Sequence, residues 1–170
     1  MLKLIAATCA AACLAAPVFA ASLTTGFAGG NLLNGNVFDI QIGAADITVT
    51  ALEVNLRSGD TDMELYYRLG GYTGFISSLT GWTLWDTTTT LAANSEGTPT
   101  WDVADQGFAA GQIYGIYVTT TGGYNLGMTK GTAEGSVLAS DAALTIFEGR
   151  AAGYPFAATV SPYNWSGTMI

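Results

Sequence analysis

The chain has 170 residues, of which 49% are apolar and only 11% charged, so it carries the bulk of a folded core and lacks the composition of a disordered protein. Thirteen acidic residues against five basic ones give a formal charge of −8; such a surface repels phosphate, which makes nucleic acid and anionic lipid poor partners. There is no histidine, and the only cysteines are Cys9 and Cys13, so the chain beyond them has no Ser-His-Asp or Cys-His nucleophile pair and no His- or thiolate-ligated zinc.

Residues 1–20 read as a secretory signal, with Lys3 in a basic start, an apolar stretch over 4–14, and Val18 and Ala20 at the −3 and −1 positions of cleavage. The apolar run falls short of the roughly 20 residues that span a bilayer, so export is expected without membrane insertion of the mature chain. Both cysteines leave with the signal, and neither has the Leu three residues before it that a lipoprotein signal would show. Loss of Lys3 moves the formal charge from −8 to −9, with Arg57, Arg68, Lys130 and Arg150 as the remaining bases. Residues 21–170 are expected to form a single secreted β-sandwich domain, extracellular or periplasmic, that relies on its own core in place of disulfides.

Past the signal no segment keeps a helical apolar rhythm, whereas several alternate with period two. Residues 37–42 set Phe38, Ile40 and Ile42 on one face and Asp39 and Gln41 on the other. Over 46–56, Ile47, Val49 and Ala51 share one parity, and Leu52, Val54 and Leu56 share the opposite one. A β-bulge near 50–52 would bring them to one side. Ser58, Gly59, Asp60 and Thr61 read as a turn, leading into a strand over 62–68 that buries Met63, Leu65 and Tyr67 and exposes Glu64, Tyr66 and Arg68. Segments 46–56 and 62–68 are predicted to pair as a hairpin.

A strand over 82–88 has Trp82 inward and Trp85 outward, because residues three apart point to opposite faces. The Thr-rich run 86–90 and the stretch 92–98 read as loops or strand ends, with a short strand near 98–103. Residues 112–120 are apolar on both parities, the pattern of a strand in mid-sheet. A short strand near 124–128 and strands over 143–148 and 165–170 complete the series. Eight or nine strands with Gly-rich turns predict an all-β fold, a two-sheet antiparallel β-sandwich with jelly-roll wiring as one option.

Carboxylates are the remaining catalytic chemistry, since two of them suffice for glycoside cleavage. Asp102, Asp105 and Glu148 are the candidates, although Asp102 and Asp105 read as flanking a turn that ends at Gly107, and Glu148 as a strand end beside Gly149. Calcium is the one cofactor considered, because it accepts carboxylates and carbonyls alone. Asp60, Asp62 and Glu64 alternate and are its weak candidates, with carbonyls from 31–36 nearby in sequence; a solvated turn is the better account.

The aromatic residues point most clearly to a ligand. Tyr72, Tyr124 and Tyr154 each follow a glycine, and Phe75 and Phe156 lie close to two of them. Gathered at one end of the fold with Trp85 and Trp165, they would make a platform for sugar rings or a partner surface. That they cover the ends of the core and bond their hydroxyls to nearby backbone is the better account of the tyrosines, since buried aromatics usually find such partners.

Several phrases occur together: Gly35-Asn36-Val37-Phe38-Asp39-Ile40, Ile47-Thr48-Val49-Thr50, Glu64-Leu65-Tyr66-Tyr67-Arg68, Gly111-Gln112-Ile113-Tyr114-Gly115-Ile116-Tyr117, and Gly153-Tyr154-Pro155-Phe156 before Ser161-Pro162. They resemble a group of uncharacterised bacterial secreted β-sandwich domains, some joined to PEP-CTERM-type sorting tails. The resemblance implies export and a sandwich fold from about residue 31 onward, and it brings no active site. No Pro-Glu-Pro motif precedes Ile170, which fits either free release or a chain that continues.

The leading expectation is a non-catalytic module binding glycan or another surface component. The second is a structural protein that self-associates through sheet edges or an unpaired segment over 21–36. The third is a carboxylate-based glycosidase.

Overall fold

The computed structural model describes residues 22–57, 59–93 and 97–170; the signal segment, Ala21, Ser58 and residues 94–96 lie outside the described residues. These residues form strands and turns without a helix. The strands are β1 (Leu23–Thr24), β2 (Asn31–Leu33), β3 (Gly35–Ile42), β4 (Ile47–Val54), β5 (Asp60–Leu69), β6 (Thr83–Ala92) and β7 (Thr100–Phe108). After them come β8 (Ile113–Thr120), β9 (Leu126–Lys130), β10 (Val137–Ser140), β11 (Leu144–Phe147), β12 (Gly149–Ala152), β13 (Thr159–Trp165) and β14 (Gly167–Met169).

They build two antiparallel sheets. The smaller runs β1-β14-β4-β7; the larger runs β2-β9-β13-β12-β3-β8-β5-β6, with β11 beside β3 and β10 beside β11. Fourteen strands exceed the eight or nine expected, because two- to four-residue strands are too short to show an alternation.

Side chains from both sheets meet in one buried cluster. Phe38, Ile40, Ile42, Met63, Leu65, Ile116 and Val118 of the large sheet join Val49, Leu52, Val54, Trp101, Val103 and Phe108 of the small one. Each large apolar side chain buried this way contributes about 1.5–3 kcal/mol. The parity switch in β4 is resolved as expected: the register shifts between Val49 and Ala51, so Val49, Leu52 and Val54 all lie in the core. Strand β8 lies between β3 and β5, in mid-sheet.

The predicted hairpin of 46–56 with 62–68 does not form. Strand β4 pairs with β14 and β7 in the small sheet, and β5 pairs with β6 and β8 in the large one. Alternation fixes which face of a strand is apolar and says nothing of its lateral neighbour, so two strands with matching faces can sit in different sheets. The run 86–90 also departs from expectation by lying inside β6, where β-branched threonines suit a strand. The stretch 165–170 divides at Ser166: Trp165 ends β13 in the large sheet and β14 belongs to the small one. Asp102 and Asp105 lie within β7, not beside a turn. Within the segment expected to be unpaired, β1 pairs with β14 and β2 with β9.

At the junction of β11 and β12 the chain kinks. Ile146 pairs with Ile40 and Arg150 with Val37, so one more residue lies on this side than on β3. A Cβ on Gly149 would fall 1.9 Å from the Val37 carbonyl oxygen, and only glycine fits that approach.

Candidate functional site on the outer face of the large sheet

The side chains of β3, β5, β8 and β12 that point away from the shared core form a second cluster. Val37, Tyr66, Tyr72, Tyr117, Ala152 and Phe156 are buried in it, with Ile76, Leu79 and Trp82 packed around them. The expectation that Tyr66 would be exposed is corrected here: it is 7% exposed because the loop segments 70–82 and 153–158 cover this face. Register aligns the ring pairs. Tyr66 sits opposite Tyr117, which sits opposite Val37, which sits opposite Arg150. The Tyr66 and Tyr117 rings stack at 5.9 Å, Tyr117 and Phe156 at 4.3 Å, and Trp82 lies 5.6 Å from Phe156. Aromatic pairs at such separations add about 0.5–1.5 kcal/mol beyond their area.

One row along, Arg68 faces Gly115 and Gly115 faces Asp39. A Cβ on Gly115 would lie 2.9 Å from the Tyr72 nitrogen and 3.0 Å from the Gly71 carbonyl carbon, so its absence lets the 70–82 loop descend onto the sheet. The Tyr72 N–H then donates to Asp39 Oδ1 at 2.9 Å. Further along the same loop, Phe75 lies over the Arg68 guanidinium, 3.5 Å from Cζ to the ring centroid. The Trp82 indole N–H closes the loop on the Phe75 carbonyl at 2.7 Å.

Charged groups edge the aromatic cluster. Glu64 accepts the Tyr66 hydroxyl at 2.6 Å, and the Tyr154 hydroxyl bonds to it as well. Burial and this carboxylate raise both phenols above their ordinary range. The Tyr72 hydroxyl donates to Glu134 Oε1 at 2.6 Å, and Arg150 grips Glu134 through Nη2 at 2.6 Å and Nε at 3.1 Å. For Glu134, burial works upward, but the bonds from Arg150 and Tyr72 outweigh it and hold the carboxyl below its usual value. Burial pushes Asp39 up to about 6, against the Tyr72 N–H and the Arg68 charge.

Glu148, at the kink beside Gly149, is 6% exposed and accepts from Thr132 N–H at 2.6 Å, Ala133 N–H at 2.7 Å and the Thr132 hydroxyl at 3.0 Å. Burial raises its pKa, and these donors outweigh burial to leave it lowered. With both oxygens engaged, its work is to fold the 131–136 turn. Asp102 and Asp105 are exposed on the small sheet, so the three carboxylates considered for glycoside cleavage are not brought together.

The five aromatic candidates separate. Tyr72 and Tyr154 belong to the outer face. Trp165 is fully buried in the shared core, stacked on Phe38 at 5.1 Å, and offers no surface to a ligand. Tyr124 is 67% exposed in the turn between β8 and β9 and makes no ring contact among the described residues. Trp85 turns toward the shared core, edge-on to Tyr67 and Phe108, with its indole N–H on the Ala104 carbonyl at 2.6 Å. Trp82 and Trp85 thus exchange the roles read from parity, because Trp82 precedes β6 and Trp85 is the residue in register with the core. Of the calcium candidates, Asp62 accepts the Thr90 N–H and Glu64 serves the tyrosines, while the Asp60 side chain lies outside the described residues. Among the described residues no three acidic side chains converge on a point that would hold an ion.

Sequence reasoning missed Asp39, Glu134, Arg150 and Trp82 as parts of one site. Asp39 carried a faint signal, a lone acid on the outward parity of an otherwise apolar strand. Glu134 comes from a distant turn, Trp82 from the end of the 70–82 loop and Arg150 from β12.

No known family model, curated protein or solved structure matches the chain. The likeness to secreted β-sandwich domains therefore rests on the sequence phrases that suggested it.

Proposed function

We propose that this is an exported, non-catalytic β-sandwich module that binds a carbohydrate across the outer face of its large sheet. The observation that carries the reading is the grouping on that face: the half-buried rings of Trp82 and Tyr154 and the exposed ring of Phe75, beside carboxylates and a guanidinium held by hydrogen bonds. Sugar rings present C–H faces to aromatic rings and hydroxyls to fixed charged groups, so this mixture suits them. Export rests on the signal pattern of residues 1–20, and the jelly-roll order of strands belongs to the same reading. The absence of imidazole and thiol from the chain beyond residue 20, with Glu148 engaged in its turn, supports binding over turnover.

Affinity electrophoresis through immobilised polysaccharides tests the reading. Tyr154→Ala is expected to weaken retention by about tenfold, the equivalent of ~1.4 kcal/mol. Trp85→Ala, on the other side of the sheet, should lower stability and leave retention unchanged. Failure of the parent protein to be retained by any polysaccharide of a broad panel removes the proposal. Self-association is the second reading, favoured by Leu84, 50% exposed on edge strand β6; with β1 and β2 already paired inside the chain, the free sheet edges are its route.

A further inference from the structure

We propose that the pocket beside Tyr72, lined by Asp39, Tyr72, Ile113, Gly135, Phe147 and Glu148, takes the ammonium group of a carbohydrate that carries a free amine. This rests on the carbohydrate reading above and names the kind of sugar that face prefers. The pocket holds about 210 Å³ and opens to solvent, which suits one substituent better than a whole chain. Tyr72 belongs both to its wall and to the aromatic cluster, so a sugar lying on the rings would place a substituent at the pocket mouth.

The chemistry of the walls selects the substituent. Ile113, Tyr72 and Phe147 are apolar or aromatic, and ring faces attract cations. In the same wall, Asp39 engages one oxygen with the Tyr72 N–H and makes no other hydrogen bond among the described residues. Five charged groups face this region. Glu134 comes from the 131–136 turn, Glu148 and Arg150 from the kink between β11 and β12, Arg68 from β5, and Asp39 from β3 itself; β8 contributes Gly115 and no charge. Arg150 is committed to Glu134, and Arg68 is held under Phe75 without an ion pair among the described residues. Three carboxylates against two guanidinium groups leave one negative charge, in a place where burial already disfavours it. A single ammonium group neutralises it. A neutral hydroxyl or an acetamide would leave it as it is, and a carboxylated sugar would double it.

Titration calorimetry with three oligomers of equal length, of glucosamine, N-acetylglucosamine and glucose, tests the assignment. At about pH 7 the glucosamine oligomer is expected to bind at least ~10-fold more tightly than the other two. Asp39→Asn keeps an acceptor for the Tyr72 N–H and should bring the three affinities together, whereas Asp102→Asn, an equal change of charge on the small sheet, should leave the preference intact. Acidification to about pH 5 protonates Asp39 and should diminish the preference, although the amine only becomes more fully charged; attraction to the overall acidic surface predicts no such sharp loss. Equal binding of all three oligomers, or a preference that survives Asp39→Asn, overturns the ammonium assignment and leaves the carbohydrate face standing. Binding of none of them, with no retention by other polysaccharides, overturns both.

Discussion

Asp39 and Glu148 line one pocket and respond to acid in opposite senses. Burial lifts Asp39 from 3.8 to about 6, so between those values the native protein binds a proton that the unfolded chain has released. Its ionisation therefore destabilises the fold as pH rises through that window, and the cost is full above about 6. In Glu148 burial is outweighed by the Ala133 and Thr132 donors, and the carboxyl is held below its ordinary 4.5. Its contribution is complete above 4.5 and is lost as pH falls below it. Thermal unfolding across this range should show Asp39→Asn raising the melting temperature at about pH 8 with no gain at about pH 4. Glu148→Gln should cost ~1.5–3 kcal/mol near neutrality, the usual worth of a lost charged acceptor, with the deficit closing toward about pH 3. Neither behaviour was legible in the sequence. Tyr72 lies 33 residues from Asp39, and Thr132 lies 16 from Glu148; in both cases the partner is a backbone N–H, whose position no residue type announces.

At the scale of elements, the 70–82 loop reaches the sheet through a gap that Gly115 leaves. Gly115→Ala sets a methyl group 2.9 Å from the Tyr72 nitrogen and 3.2 Å from Arg68 Cγ, and backbone cannot yield there as a flexible side-chain tip would. The substitution should cost ~1–3 kcal/mol and accelerate exchange of the Tyr72 amide by about tenfold or more, with core amides of β3 and β8 slowed as before. Undisturbed exchange at Tyr72 would show that the loop is held by Phe75 and Trp82 alone. Strand faces were readable at this scale: Phe38, Ile40 and Ile42 turn inward as alternation requires, and the reversal in β4 marked its bulge correctly. The extent of β6 was not, since a run of threonines suits a turn or a strand until a neighbour is present, and β5 supplies that neighbour.

For the whole molecule the exposed sheet edges are the chief hazard, because an unpaired edge is a template for another chain. Edges β6 and β7, of different sheets, are latched together. Asp86 accepts the Ala104 N–H at 2.6 Å, and the Trp85 indole N–H donates to the Ala104 carbonyl at 2.6 Å. Weakening the latch with Asp86→Ala should increase concentration-dependent aggregation, followed by light scattering and dye binding; a variant as soluble as its parent would show that the acidic surface suffices without it. The sequence by itself determined that this chain is all β, which faces of its longer strands are apolar, and that the chain beyond Cys13 lacks the groups for His- or Cys-based chemistry. These properties follow from local alternation and composition. Only the tertiary structure decided which strands are neighbours, that Trp85 turns inward while Trp82 caps the outer face, and that Asp39, Tyr72, Glu134 and Arg150 meet. Sheet membership and that meeting depend on contacts between residues far apart in the chain, for which a period of two carries no record.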